Sequence, residues 1–355
     1  MFQLKFQNQT FSTVADFKHQ PSDLPDFARS AFEFCRDWLE GKDFFQQKTS
    51  GSTGTPKIIR LERSQMIASA LATKGFFGTG ENTKMGCCLN PEYIAGKMML
   101  VRAMVWESEI ELVEASSNPM SEISETPDFL AMVPLQVEQS LSEKGSLEQL
   151  QKVKNLIIGG APLSENLKAR IVKSGIHAFQ TYGMTETVSH IALAKITAEH
   201  MTYRTLPGVV IGVDEREALW IKSPMSGPLP VQTNDQVILL SKNTFQWLGR
   251  VDFVINSGGV KIHPEILEAK ASGIIEKFLP DSQFFFAGIK DEKLGEKVIL
   301  LIEGTELDSN SLGDLKDKLK AELNRFENPK EIFFVNRFTR TPSGKLDRNK
   351  TVQSL

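Results

Sequence analysis

Thr49-Ser50-Gly51-Ser52-Thr53-Gly54-Thr55-Pro56-Lys57 gathers hydroxyls, two glycines and a cation within nine residues. Gly51 and Gly54 let the main chain turn its N–H groups inward without Cβ interference, Ser50, Ser52 and Thr53 supply hydroxyl donors, and Lys57 supplies charge. With Thr49, these residues outline a loop for the phosphates of a nucleotide. The stretch departs from the P-loop, because Pro56 precedes Lys57 and Ile58 follows it, so the metal-binding hydroxyl after the lysine is missing. A flexible Ser/Gly linker has the same composition, and the stretch alone does not separate the two.

A chain of 355 residues with 41% hydrophobic composition is long for one core and ample for two. Its net charge of −3, with both signs interspersed, argues against a nucleic-acid track or an anionic-membrane surface, so polyanion binding has to be local. No apolar run approaches the roughly 18 residues of a membrane span, and Met1-Phe2-Gln3-Leu4-Lys5 lacks a secretory core, which leads to a cytoplasmic expectation. Cys35, Cys87 and Cys88 form no even framework, in keeping with a reducing compartment. Five scattered histidines give no zinc spacing, so a metal is expected only with a nucleotide.

Apolar residues at helical spacing over 24–41, namely Phe27, Ala31, Phe32, Cys35, Trp38 and Leu39, predict a helix leading toward the loop and stopping at Gly41. Beyond Lys57, short apolar strands at 85–89, 110–113, 129–133 and 155–158 and before Tyr182 alternate with helices from Ser64, Ala95 and Ser164, an α/β pattern of mostly parallel strands. From Gly208 the pattern changes to short strands and turns, including 218–222, 236–240 and 244–248, as in a small antiparallel sheet. A boundary near Arg250 to Asp252 then gives two domains, 1–250 and 251–355. The second should hold a helix after Pro264, strands at 284–289, 298–302 and 332–335, and a helix over 312–326.

Further segments carry chemistry. Gly159-Gly160-Ala161-Pro162 follows a buried strand, and its small residues admit a flat ring, or make an ordinary strand-to-helix turn. Thr181-Tyr182-Gly183-Met184-Thr185-Glu186-Thr187 offers an aromatic face, hydroxyls and a carboxylate, although Thr185 and Glu186 also suit a helix cap. Together, residues 49–57, Tyr182 to Glu186, Thr233-Asn234-Asp235, Gly249-Arg250-Val251-Asp252 and Pro342-Ser343-Gly344-Lys345 resemble the adenylate-forming superfamily of acyl-CoA synthetases, luciferases and peptide-synthetase adenylation domains. Five motifs in the right order are specific, and the resemblance runs from about Thr49 to Arg348. Tyr182 through Ser189, Val133-Pro134 and Gly249 through Pro264 are most similar to o-succinylbenzoate-CoA ligases of menaquinone biosynthesis.

The resemblance implies an acid-thiol ligase using ATP, Mg²⁺ and CoA with a small carboxylic acid, and leaves a homodimer open. Residues 49–54 and Lys57 would hold the ATP phosphates. Gly159, Gly160, Ala161, Pro162, Thr181, Tyr182 and Gly183 would line adenine, with Thr185 at the α-phosphate and Glu186 on Mg²⁺. Asp235 and Arg250 would bind ribose, although a surface-turn aspartate and a structural ion pair are the plain readings of these two. Asp252 would be the hinge of a mobile C-terminal domain that brings Lys345 to the first half-reaction and Gly258, Gly259 and Lys261 to a CoA path in the second. A tight turn accounts for the same glycines.

Departures from the family bear on the acid. The 48 residues before the loop are fewer than usual, so part of the N-terminal region is expected to be missing. Tyr93 stands in a shortened motif where many relatives have a histidine. Tyr93, Val133, Ser189 and His190 are the candidate acyl-pocket residues, with Arg204 a further candidate for a second substrate carboxylate. Another acid, or a carrier-protein thiol, would fit the same chemistry. A phosphate-loop NTPase fits less well for want of the hydroxyl after Lys57, and a silent nucleotide-binding regulator would not need Lys57, Glu186 and Lys345 together.

Overall fold

The computed structural model describes the chain except Ser22, residues 49–57, His200, Asp281 and residues 342–345. Helical periodicity is realised first over Asp26–Leu39, which buries Ala28, Ala31, Phe32, Phe34, Cys35 and Trp38, with Gly41 at φ +89° just beyond its end. The Ile94–Trp106 helix is different, because it buries nearly every side and is therefore packed within the core rather than on it. Gly96 at its start is obligatory: a Cβ there would lie 2.4 Å from the Leu89 carbonyl oxygen.

These helices flank a 13-stranded sheet. One half, running from Gln3–Phe6 through Glu109–Leu112, Met85–Cys87, Phe129–Met132 and Asn155–Ile158 to Ala178–Gly183, is parallel. Beyond Ala178–Gly183 the strands His190–Lys195, Tyr203–Thr205, Thr244–Arg250, Val231–Ser241, Ala218–Lys222 and Val210–Val213 pair antiparallel. The antiparallel strands expected after Gly208 thus continue the parallel sheet edge to edge, since the His190–Lys195 strand folds back on Ala178–Gly183 and supplies the change of direction. A separate two-stranded ribbon, Phe44–Lys48 with Ile58–Glu62, pairs Lys48 with Ile58 on either side of residues 49–57 in sequence.

After Arg250 a five-stranded sheet forms from Val260–Ile262, Ile255–Ser257, Gly295–Glu303, Phe284–Asp291 and Glu331–Val335. It packs the Pro264–Phe278 and Ser309–Glu322 helices through Leu267, Ala271, Phe286, Leu300, Leu315 and Leu319. In this part Glu268 accepts both guanidinium nitrogens of Arg348, at 2.8 and 2.7 Å, and the Phe286 amide at 3.0 Å. Arg348 also lies over the rings of Phe253 and Phe285. Burial nevertheless pushes the Glu268 carboxyl up to about 7, against the pull of Arg348.

All three cysteines are free and buried, and burial raises each thiol, Cys87 to about 12. Among the described residues no helix is long and apolar enough to cross a membrane.

Candidate active site

The strand ends at the seam between the two halves of the large sheet bring the motifs together. Gly159 follows Asn155–Ile158 and donates its amide to Met132 O at 3.1 Å; a Cβ on it would lie 2.3 Å from Thr181 Oγ1 on the neighbouring strand. Gly160, at φ +86°, turns the chain beside the Val133 side chain, and Gly160, Ala161 and Pro162 are exposed. Gly159, Gly160, Val133 and Thr181 therefore form one small-residue ledge, open to solvent.

Beside that ledge, Tyr182 donates its hydroxyl to Asp235 Oδ2 at 2.6 Å. Its ring stands edge-on to Phe245 and Tyr203, with centroids 5.2 and 5.7 Å away. Burial, together with the negative charge of Asp235, raises the Tyr182 phenol, so the hydroxyl stays a donor at neutral pH. Asp235 is paired in register with Arg250 across the long hairpin. Arg250 in turn donates to Asp252 Oδ2 at 2.7 Å, and Asn234 Nδ2 reaches both Asp252 oxygens at 3.2 and 3.3 Å. Glu265, from the helix after Arg250, accepts the Arg250 amide at 3.2 Å and presses so close that a Cβ on Gly249 would meet its Oε2 at 2.3 Å.

Thr185 and Glu186 occupy a 3₁₀ turn, Thr185–Thr187, with the Glu186 side chain exposed. The residue after that turn is an outlier: Val188 has φ 64° and ψ −52°, and Ser189 N donates to Thr187 O at 2.7 Å. This is the positive-φ γ-turn, a strained conformation that costs a β-branched residue about 1–3 kcal/mol. Among the described residues no group of three or more His, Cys, Asp or Glu side chains could hold a metal. A single exposed carboxylate such as Glu186 suits Mg²⁺ brought by phosphate oxygens, because that ion takes one or two protein carboxylates and keeps waters.

On the other side of the turn lies a group that sequence reading missed. Arg102, the arginine of the buried Ile94–Trp106 helix, is 2% exposed and pairs with no carboxylate among the described residues. Its Nη2 donates to Ser189 Oγ at 3.1 Å and to His190 Nδ1 at 3.4 Å, while its Nε has no described partner. Arginine has only donors, so His190 Nδ1 accepts and the imidazole proton sits on Nε2, 3.2 Å from Thr73 Oγ1, which donates to Ser69 O. Burial, then the nearby guanidinium, holds His190 well below its ordinary pKa, and burial lowers Arg102 to about 10. The available signal was the helix itself: a run apolar on every side leaves an arginine within it no route to water.

Ser189 and His190 thus join Arg102, whereas two other candidates do not. Tyr93 is 65% exposed at the N-cap of the same helix, nine positions and about 13 Å of helical rise from Arg102. Arg204 is exposed between buried Tyr203 and Thr205, and strand alternation turns it to the opposite face from the aromatic cluster. Gly258 and Gly259, at φ +59° and +82°, make the two-residue turn between Ile255–Ser257 and Val260–Ile262, a geometry that calls for glycine; Lys261 is exposed next to them. A cleft of about 460 Å³ adjoins this turn, lined by Lys293, Lys297, Arg325, Lys330 and Phe326 among others. Residues 49–57 and Lys345 lie outside the described residues.

A small-residue ledge, a tyrosine–aspartate pair and a threonine–glutamate turn at the strand ends of a parallel sheet are the furniture of a nucleotide-binding α/β enzyme. Comparison with known proteins is specific. Residues 39–217 match the model of the family described as AMP-binding enzyme. The crystal structure of an acyl-CoA synthetase (AMP-forming)/AMP-acid ligase II-like protein from Dyadobacter fermentans is 36% identical, with 97% of this chain and 98% of that one covered and a TM-score of 0.65. The chain belongs to the AMP-binding enzyme family. A probable 2-succinylbenzoate–CoA ligase of Mycobacterium tuberculosis is 26% identical over 323 residues, 86% of this chain and 82% of that protein. The o-succinylbenzoate coenzyme A synthetase of Bacillus subtilis, solved with the acyl-adenylate intermediate, shares the fold at a TM-score of 0.70 and 21% identity, covering 86% of this chain and 68% of that one.

Proposed function

We propose that the protein is an AMP-forming acid-thiol ligase that activates o-succinylbenzoate with ATP and transfers the acyl group to CoA. Family membership and the names of the relatives in M. tuberculosis and B. subtilis support the reaction class and the acid. The observation that carries the choice of acid is Arg102: a buried guanidinium with an unpartnered Nε, beside Ser189 and His190, is a site lacking an anion. A second carboxylate on the substrate meets that need, and the neutral His190 adds no competing charge.

In the first half-reaction a carboxylate oxygen of the succinyl arm attacks the α-phosphorus of ATP, and the bond from that phosphorus to the pyrophosphate oxygen breaks. The aryl carboxylate is the handle for Arg102. Asp235, held by Tyr182, offers its other lone pairs to the ribose hydroxyls, with Arg250 assisting, and adenine lies on the ledge of Gly159 and Gly160. Thr185 and Glu186 face the phosphates; bound Mg²⁺ would supply charge neutralisation there. Lys57 and Lys345 are assigned the remaining phosphate and carboxylate charge. In the second half-reaction the thiol sulfur attacks the acyl carbon, the bond to AMP breaks, and the thiol proton leaves to solvent.

The reading divides the chain into units 1–250 and 251–355, pivoting at Asp252. CoA is favoured over a carrier-protein arm because the cleft beside Gly258 and Gly259 sets Lys293, Lys297, Arg325 and Lys330 against Asp291 and Glu331, with Lys297 paired to Glu331, and this net positive lining suits a phosphorylated nucleotide better than a single phosphodiester. Free cysteines and the composition support a cytoplasmic setting. The test is AMP and pyrophosphate formation from ATP with o-succinylbenzoate, benzoate or a medium-chain fatty acid, with and without CoA. Preference for o-succinylbenzoate and CoA-dependent release of thioester are expected. Preference for the fatty acid overturns the choice of acid, and orthophosphate in place of pyrophosphate overturns the reaction class.

A further inference from the structure

We infer that Val188 is a positioning residue that sets acid selectivity, by aiming Ser189 and His190 at Arg102 from a strained turn. The inference rests on the proposed use of Arg102 as a carboxylate anchor. Between Gly183 and His190 the chain ties itself into a compact knot. Gly183 crosses the returning limb so closely that a Cβ would lie 2.3 Å from Ser189 O and 2.5 Å from His190 Cα. The Thr187 hydroxyl, fully buried, accepts from Met184 N at 3.1 Å and stands 3.0 and 2.8 Å from the carbonyl oxygens of Met184 and Ser189, joining both limbs. Val188 N donates to Thr185 O at 2.9 Å before the chain reverses through the γ-turn.

Reversal within three residues has a geometric result. Glu186 is left at the exposed side of the knot, while Ser189 and His190 are carried inward to Arg102 Nη2. A relaxed backbone at residue 188 would send the next two side chains elsewhere. The Val188 side chain, 1% exposed in the main core, is what holds the strained dihedrals: its burial fixes the residue against rotation out of the turn. Glycine keeps the turn accessible and opens the alternatives, so it separates the aim of the turn from its existence.

The experiment compares the parent protein, Val188→Gly and Val188→Ile for kcat/KM with o-succinylbenzoate and with benzoate, KM for ATP, and midpoints of chemical unfolding. In Val188→Gly the preference for o-succinylbenzoate over benzoate should fall at least tenfold through the acid's KM, with KM for ATP within twofold of the parent. Val188→Ile, which keeps the β-branched anchor, should retain the parent preference. A merely structural role would move the unfolding midpoint and leave the preference alone. An unchanged preference in Val188→Gly, or an equal rise in KM for acid and ATP, overturns the inference. A parent protein that does not distinguish the two acids refutes the substrate reading itself, and the inference with it.

Discussion

Replacing Arg102 by methionine should leave the protein about as stable while removing its use of o-succinylbenzoate. Burial lowers the guanidinium from its ordinary 12.5 to about 10, equivalent to about 3 kcal/mol against the charged form at 1.36 kcal/mol per pKa unit. Since pH 7 lies below both values, Arg102 is charged in the folded and the unfolded chain, and the whole cost is present at neutral pH. Methionine fills a similar volume without charge, at the loss of the hydrogen bonds to Ser189 and His190, each worth about 1 kcal/mol. The Nη1 contact with Met99 Sδ at 3.7 Å is lost as well, so the opposing contributions cancel to within about 1 kcal/mol and the thermal midpoint should move by no more than about 2–4 °C. Loss of a buried charged partner for the substrate carboxylate should lower kcat/KM by about 10²–10³-fold, about 3–4 kcal/mol. Thermal unfolding and pyrophosphate release measure the two quantities. An Arg102→Met protein that is less stable by 2 kcal/mol or more and still turns over o-succinylbenzoate would show Arg102 to be a structural residue, and the reasoning from its missing anion would fail.

Tyr182→Phe removes the 2.6 Å hydrogen bond to Asp235, a charge-assisted contact worth about 1.5–3 kcal/mol; KM for ATP should rise several-fold with KM for the acid unchanged, and the reverse pattern would detach Asp235 from ribose. Gly249→Ala forces Glu265 away at a cost of about 1–3 kcal/mol, so limited proteolysis near residue 251 should accelerate; an unchanged rate would mean that the Glu265 contact does not restrain the chain there. Glu268 gives a pH signature. Its folded value of about 7 exceeds the ordinary 4.5, so the folded chain keeps the proton longer and unfolding free energy falls as pH rises from about 4.5 to 7, then levels. Glu268→Gln should flatten that part of the profile measured by denaturant, and identical slopes in the two proteins would reject the assignment.

Local rules made much of the architecture legible. The 3.6-residue period over Asp26–Leu39 and the strand at Asn155–Ile158 could be read from side-chain pattern, and the Pro264–Phe278 helix from its first proline. Tyr182 and Asp235, 53 positions apart, were nominated separately by motif, but their hydrogen bond exists only because the antiparallel strands dock on Ala178–Gly183. The short Gln3–Phe6 and Gln9–Phe11 strands went unread, being too brief to show a period. Arg102 escaped because a lone arginine on a helix ordinarily reaches water, and the layers on both sides of Ile94–Trp106 are a tertiary fact. Val188 was unreadable for a different reason: a β-branched residue contradicts the local preference of the turn it occupies, and such conflicts belong to functional or strained positions.

The buried cysteines acquire a meaning from the chemistry proposed for the protein. An acyl-adenylate is a strong electrophile, and any accessible thiolate nearby would capture the acyl group before the thiol co-substrate arrived. Burial raises Cys87 to about 12 and pushes Cys35 and Cys88 up as well, so all three are held as neutral thiols at pH 7. All three are also sealed from solvent. For an enzyme that makes thioesters, thiols held neutral and out of solvent offer an activated acid no rival to the thiol that diffuses in.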